Sequence, residues 1–351
     1  MILTNGMCRI QAMVAALAVG AGLASVASSA SAETVLSYSP WLPPGYVLND
    51  TVLYPWMDEV TEVTEGRVRV EPRATGVGSP RDQFDAVRDG LVDISIIPLG
   101  YAAGRFPLVE IGELPLLHEN DAILAPTFYF IYQEHLAEFE PFKGTHLLSL
   151  YTSTPAHLST TTGIINDIGD LKGLKLRVPN STASQVAKAV DAIPIQKSIT
   201  EMHGLVSAGV IDGTFFAPHS VVDFSLENYL QYMTLVPGGV GQSVQVLLVN
   251  EDKWKAIEEA DRQAIMAISG ERIARAAGQA FTDSEEDATA KLRDAGVTIE
   301  QMSPKVSEAF VERLQTVDQS WYVSARAAGL SDPEAVLSDF RAKLKATAEA
   351  Q

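Results

Sequence analysis

Side chains that could carry out chemistry are few in this sequence, and the common enzyme signatures are missing. No G-x-S-x-G nucleophile elbow, H-E-x-x-H metal motif or G-x-x-x-x-G-K phosphate loop occurs in the 351 residues. Gly76 and Gly78 lack the third glycine of a dinucleotide-binding loop. The six histidines are scattered, without the helical spacing of a metal site. The sequence therefore predicts no catalytic residue, no metal ligand and no cofactor.

Arg177 is the residue whose position points most directly to binding chemistry. It stands near the end of a short predicted strand, residues 174–179, which Pro179 and Asn180 bring to a close. Ligand crevices in open α/β sheets lie beyond the carboxyl ends of the strands. A guanidinium placed there can hold a carboxylate through two parallel hydrogen bonds. The alternative is an arginine on the surface or in an interdomain ion pair, and the residues alone do not decide between the two.

Strand and helix patterns alternate along the chain, which predicts an α/β fold with mainly parallel sheets. A first set of strands covers residues 35–39, 67–71 and 92–97, with helical patterns between them. A second α/β set begins near residue 158, and its helix after Ser198 opens with a capping box completed by Glu201.

A further strand is predicted at residues 243–249, and mostly helix follows it. Residues 252–295 are almost free of Gly and Pro, which predicts a helix or helix pair of some forty residues. At 1.5 Å per residue it would reach roughly 60 Å, more than one domain, so we expect it to lie across both. Two more helices are predicted, at residues 304–328 and 332–348.

Composition excludes several classes of function. Apolar residues make up 46% and charged residues 20%, which is enough to bury a core. The 44 acidic residues outnumber the 26 basic ones and give a net charge of −18. Such a field disfavours nucleic acid or an anionic membrane face as partner, although a few buried cations can still bind a small anion. A single Cys rules out a disulfide framework.

The first thirty-two residues have the pattern of a secretory signal. One basic residue, Arg9, precedes an uncharged apolar run at residues 12–26, and Ala30-Ser31-Ala32 forms a small-residue cleavage site. We expect cleavage after Ala32, export to a bacterial periplasm and no lipid anchor, since Cys8 precedes the apolar run. An uncleaved N-terminal anchor is the alternative.

Several short segments, taken in order, resemble one known family. They read TEGRV at 64–68, DAVRDGLVDI at 85–94, GRFP at 104–107 with ELP at 113–115, DLKGLKLRVP at 170–179, and GVIDG at 209–213. From residue 35 to about 320 the chain resembles the DctP-type solute-binding proteins of TRAP transporters, the tripartite ATP-independent periplasmic systems.

This resemblance implies a two-lobe periplasmic-binding-protein-like fold with crossing strands and a long bridging helix. The first lobe would hold residues 33–157 and about 244–270, and the second residues 158–243 and about 280–351. The lobes would close on a small carboxylate and deliver it to the TRAP membrane permease. Arg177, in the L-R-V-P segment, would bind the carboxylate.

The resemblance also suggests other ligand contacts. His157 follows a segment where relatives often place a polar pocket residue, and it is otherwise an ordinary strand histidine. Phe216 and His219 lie after Gly213, where they would form an apolar wall and a hydrogen-bond partner, or else remain a core Phe and a surface His. Trp41 and Tyr101 would face the cleft from the first lobe, with plain hydrophobic packing as the alternative.

Two features depart from the sugar-acid binders of this family. Residues 151–162 contain no Arg, and the segment after Gly213 contains no Asn or Gln. We therefore expect a smaller, less hydroxylated organic acid. Two alternatives stay open: an exported hydrolase or lyase that uses His157 or His219, and a binding protein that serves a sensor kinase.

Overall fold

The computed structural model describes residues 33–102 and 104–350. The predicted signal segment with its cleavage point after Ala32 lies outside the described residues. The strands of the described chain are β1 Thr34–Ser39, β2 Val68–Pro72, β3 Ile94–Pro98, β4 Thr145–Thr152, β5 His157–Thr160, β6 Lys175–Val178, β7 Ile193–Gln196, β8 Gly213–Phe216, β9 Tyr232–Leu235, β10 Val244–Asn250 and β11 Thr298–Gln301. Its α-helices are α1 Tyr54–Val63, α2 Gln83–Arg88, α3 Asp121–Ile131, α4 Ser181–Ala189, α5 Met202–Ser207, α6 Pro218–Asp223, α7 Glu251–Ala256, α8 Glu259–Ala267, α9 Glu271–Asp294, α10 Pro304–Ala327 and α11 Pro333–Glu349.

The strands form two sheets. The first has the order β2-β1-β3-β10-β4 and the second the order β11-β9-β5-β8-β6-β7. In the first sheet β1 pairs in parallel with β2 and β3, whereas β10 runs antiparallel to β3 and β4. In the second sheet β6 is parallel to β7 and β8, and β5 is antiparallel to β8 and β9. The sequence pattern predicted mainly parallel sheets, and both sheets combine parallel with antiparallel pairs.

Two segments of chain cross between the sheets side by side. Residues 153–156 lead from β4 to β5, and residues 236–243 lead back from β9 to β10. The backbone N–H of Ser153 donates to the Ser243 carbonyl at 2.8 Å, and that of Ala156 donates to the Gly241 carbonyl at 2.8 Å. These crossing segments hold the two sheets together and later form a wall of the cavity.

The stretch at 252–295 contains three helices rather than one helix or a pair. The chain leaves helical geometry at Ile257, whose ψ is 139°, and again at Gly270, whose φ is +54°. Gly tolerates this positive φ without the steric cost that a Cβ atom would bring. The last helix, α9, has 24 residues and so a length of about 36 Å.

α9 nevertheless bridges both sheets, as expected. Its first half buries Ala277 and Phe281 in the core beneath the first sheet. Its last turns bury Leu292 in a second hydrophobic core. That core also contains Met233 of β9, a strand of the second sheet. One rigid helix therefore packs on both halves of the molecule.

The two C-terminal helices do not pack on the same neighbours. α10 contacts α4, and its Arg313 forms an ion pair with Asp191 at 2.7 Å. α11 packs on α3, where the rings of Phe340 and Phe128 lie 5.8 Å apart. α11 thus buries its apolar face against a helix from the range predicted for the first lobe. Within the two described ranges, every helix is too short or too polar to serve as a membrane span.

Candidate functional site

A cavity lies where the two sheets and the crossing segments meet. It encloses about 770 Å³ of space including its opening. Its wall is built from Trp41, Leu42, Tyr46, Pro98, Tyr101, Glu113, Ser153, Thr154, Ala156, Arg177, Pro179, Asn180, Ala183, Ile199, Phe215, Phe216, Ala217, Ser220, Phe224, Val240, Gly241, Gln242, Ser243 and Gln245.

Arg177 lines this cavity and is 1% exposed. It is the third residue of β6, and Asn180 then caps α4 by accepting a hydrogen bond from the Ala183 N–H at 2.7 Å. The Arg177 Nε donates to the Lys197 carbonyl at 2.8 Å, and its Nη2 donates to the Tyr101 hydroxyl oxygen at 3.1 Å. These two bonds fix the plane of the guanidinium. Among the described residues none is bonded to Nη1, so this edge still has donors to offer.

Arg177 has no ion-pair partner among the described carboxylates, and the Glu201 charge that acts on it favourably is itself paired with Lys197. Burial lowers the pKa of the Arg177 guanidinium from its usual value, but arginine stays protonated in proteins at neutral pH. No ion pair joins it to a carboxylate of the described chain, and it is the one basic side chain on the described cavity wall. A buried and unpaired cation is costly, so the site favours an anion from outside.

Tyr101 extends this cation into a larger anion site. Its hydroxyl oxygen accepts from Arg177 and from the Ile199 N–H, the latter at 3.0 Å. Since both bonds use the oxygen's lone pairs, the hydroxyl hydrogen is free to donate. A carboxylate beside Arg177 would therefore meet charged donors and a phenolic O–H together.

Aromatic rings form the apolar part of the wall. The Phe216 ring centre lies 5.4 Å from the Arg177 Cζ, within the range of a cation–π contact. The Trp41 Nε1 donates to the Ile96 carbonyl at 2.8 Å, so that Trp41 offers the cavity only its ring. Tyr46 and Phe224 complete this side, with ring centres 6.3 Å apart.

The two predicted histidines lie outside the cavity wall. The His157 Nδ1 accepts from the Val236 N–H at 3.1 Å, and burial lowers the pKa of His157. His219 is buried; its Nδ1 contacts the Glu285 carboxylate and its Nε2 lies 3.2 Å from the Ser220 hydroxyl. Both histidines support the residues behind the wall, whereas Arg177, Tyr101, Trp41 and Phe216 meet at the cavity itself.

Sequence reasoning missed a group of polar residues on the wall. Glu113 is 2% exposed, and burial raises its pKa to about 8, with the nearby Glu110 charge adding to the effect. Thr154, Gln242 and Gln245 are also buried. The family segment ELP at 113–115 was a weak signal for Glu113, whereas no sequence signal pointed to the glutamines.

The comparisons with known proteins agree with this geometry. The chain matches DctP, the bacterial extracellular solute-binding protein family 7, over residues 41–324. It is 28% identical to the outer membrane transporter protein TsaT of Comamonas testosteroni, over 92% of this chain and 94% of that protein.

Two solved structures share the fold and contain acids. A TRAP periplasmic solute-binding protein from Bordetella bronchiseptica with bound (R)-mandelate and (S)-mandelate has a TM-score of 0.85 and 33% identity, covering 90% of this chain and 99% of that one. A marine-metagenome TRAP solute-binding protein specific for aromatic acids, in complex with 3-hydroxybenzoate, has a TM-score of 0.84 and 25% identity with the same coverage. With a two-sheet fold, a buried arginine in the cavity and a family match over most of its length, this chain belongs to the DctP family and is a TRAP-type extracytoplasmic solute-binding protein.

Proposed function

We propose that the protein captures a small aromatic monocarboxylate in the cavity and delivers it to a TRAP permease. One observation carries this proposal: Arg177 is buried on the cavity wall with no carboxylate of the described chain paired to it. A ligand carboxylate supplies the missing charge, and it accepts from the free Nη1 edge and the Tyr101 hydroxyl. Removing water from such a pair strengthens it.

The aromatic wall supports the rest of the ligand assignment. Trp41, Tyr46, Phe216 and Phe224 bring four aromatic rings to the cavity wall, and the Trp41 indole N–H is occupied by the Ile96 carbonyl. A planar ring gains from edge-to-face and stacked contacts with such a wall as well as from burial. The relatives that hold mandelate and 3-hydroxybenzoate support the same class of ligand.

Export and transport complete the proposal. Residues 1–32 act as the signal, cleavage follows Ala32, and the protein works in the periplasm with membrane permease subunits as partners. The members of this family are binding receptors. We therefore expect the ligand to leave unchanged, and quantitative recovery of mandelate after prolonged incubation distinguishes a carrier from a hydrolase or lyase.

Calorimetric titration with benzoate, 3-hydroxybenzoate and mandelate tests the ligand class, with benzamide as the neutral isostere. Benzoate and its relatives should bind, and benzamide should not. Arg177→Gln should weaken carboxylate binding by about 30-fold to several thousandfold, as expected when one partner of a buried charge pair is removed. Arg177→Lys keeps the charge but loses the planar fork, so we expect an intermediate loss.

Arg105→Lys is the matched control. Arg105 pairs with Asp85 at 2.9 Å and stacks on Phe84 at 4.1 Å, outside the cavity, and its substitution should leave binding unchanged. Arg177→Gln should still melt cooperatively, because it removes a buried charge that has no ion-pair partner in the described chain. Carboxylate affinity that survives Arg177→Gln would refute the proposed role.

A further inference from the structure

The cavity wall contains a second polar group, distinct from the anion site. Four buried side chains there each have a polar atom without a hydrogen-bond partner in the described chain. They are Glu113 Oε2, Thr154 Oγ1, Gln242 Oε1 and Gln245 Oε1. A buried polar atom with no partner is destabilising, and such atoms are uncommon in folded proteins. Four on one cavity wall are therefore an observation that calls for a ligand.

The bonds made by Gln242 fix which atom it offers. Its Nε2 donates to the carbonyls of Gly112 and Leu114, the latter at 3.3 Å. Because carbonyl oxygens can only accept, the amide must place its nitrogen toward them. Its Oε1 is then left as an acceptor without a partner in the described chain.

Asn180 and Val244 fix the orientation of Glu113 in a similar way. Asn180 Oδ1 accepts from the Ala183 N–H, which leaves its amide nitrogen to donate to the Glu113 side chain. The Val244 N–H also donates to Glu113 Oε1, at 3.4 Å. Oε2 is the atom of the carboxyl group that is left without a partner in the described chain.

The four side chains come from adjoining segments. Gln242 lies on the crossing segment after β9, and Gln245 follows it on β10. Thr154 lies on the other crossing segment, which is bonded to the first through the Ser153 N–H and the Ser243 carbonyl. Glu113 lies in the chain between Gly112 and Leu114, whose carbonyls accept from the Gln242 amide. None of the four is a cation, and Glu113 is predominantly protonated at neutral pH because burial raises its pKa to about 8.

We propose that Glu113, Thr154, Gln242 and Gln245 form an uncharged recognition pole that receives a hydroxyl group of the ligand. The captured solute is then a hydroxylated aromatic monocarboxylate. This inference rests on the proposed function, since Arg177 must hold the carboxylate. A ligand hydroxyl both donates and accepts, so it suits the two amide oxygens together with the Thr154 hydroxyl and the protonated Glu113 carboxyl; a second carboxylate would bring the amide oxygens no donor and would meet no cation.

Three probes that differ at one position test the pole: benzoate, 3-hydroxybenzoate and isophthalate. Phenylacetate and mandelate form a second pair, in which the hydroxyl lies on the side chain. We expect the hydroxylated member of at least one pair to bind about 5- to 150-fold tighter than its parent. Isophthalate, with a carboxylate in place of the hydroxyl, should bind at least about 30-fold more weakly than benzoate.

The double variant Gln245→Met, Thr154→Val removes two of the polar atoms at nearly constant volume. It should lose the preference that the wild type shows for each hydroxylated acid over its parent. Ser159→Ala is the matched control, because the Ser159 hydroxyl is also buried and unpartnered but lies on β5 outside the cavity wall. It should keep the preference.

The outcomes separate the two proposals. If every pair binds with equal affinity, or if the preference survives in the double variant, the recognition pole is refuted while the carboxylate site stands. Tight isophthalate binding would also refute it. If no carboxylate binds the wild type, or if Arg177→Gln changes nothing, the proposed function itself fails.

Discussion

Glu113 provides the sharpest test of how the cavity is charged, because its substitution by Gln should change how stability depends on pH. Burial raises the pKa of Glu113 from 4.5 to about 8, and Glu110 adds repulsion, while the Val244 N–H and the Asn180 amide act in the opposite direction. The folded protein thus retains a proton that the unfolded chain releases above pH 4.5. Stability is then lost as the pH rises from about 4.5 to 8.

The size of the effect follows from this pKa difference. Each pKa unit corresponds to about 1.4 kcal/mol, so the full difference corresponds to roughly 3–5 kcal/mol of unfolding free energy. Glu113→Gln keeps the shape of the neutral carboxyl but cannot ionise. Its stability relative to the wild type should therefore increase by about that amount between pH 4.5 and 8.

Urea unfolding followed by tryptophan fluorescence at half-unit pH steps measures this difference. Glu300→Gln, an exposed substitution on β11, serves as control and should show a flat difference across the same range. If the wild type and Glu113→Gln give parallel curves from pH 5 to 8, Glu113 is ionised in the folded protein. The neutral character of the recognition pole would then be wrong.

Two further substitutions test the packing that positions the site, both by urea unfolding. Gly278→Ala should destabilise by about 1–3 kcal/mol, because a Cβ atom there would meet the Asp121 carbonyl oxygen at 2.4 Å where α9 crosses α3. Gly204→Ala, in open space on α5, should instead stabilise by up to about 1 kcal/mol, and a loss in both would refute the crowding argument. Trp56→Phe should cost about 1–2 kcal/mol, because it removes the buried 3.0 Å bond from the indole to the Ser269 hydroxyl, and equal stability would contradict this.

Much of the fold follows from local patterns in the sequence. The capping box of Ser198 and Glu201 is present as predicted, although it opens a short 3₁₀ turn before α5. Pro55 is the second residue of α1, and a π-helical turn, Asn49–Leu53, directly precedes that helix, so its missing N–H falls where the backbone changes from π-helical to α-helical geometry. The breaks in residues 252–295 were harder to predict, since each depends on the conformation of one or two residues within a strongly helical pattern.

The site was only partly predictable, for a physical reason. Arg177 could be predicted from the sequence, because ligands commonly bind at strand ends in α/β sheets and because the family segment around it is distinctive. The recognition pole was not, because Gln242 reaches the carbonyls beside Glu113 from about 130 residues further along the chain. No local pattern records which amide will face which backbone carbonyl across that distance.

Charge balance explains how a protein with a net charge of −18 can bind an anion. Acidic groups on the surface are screened within about 8 Å at physiological ionic strength, whereas a group buried in the cavity is not. On the described wall the balance is one cation, Arg177, and one acid, Glu113, which is predominantly protonated. A monocarboxylate makes the occupied cavity neutral; a dicarboxylate leaves an excess negative charge, and a neutral ligand leaves Arg177 unpaired. Protonation of Glu113 is thus a condition for this balance, because an ionised Glu113 would add a negative charge to the wall that the ligand carboxylate approaches.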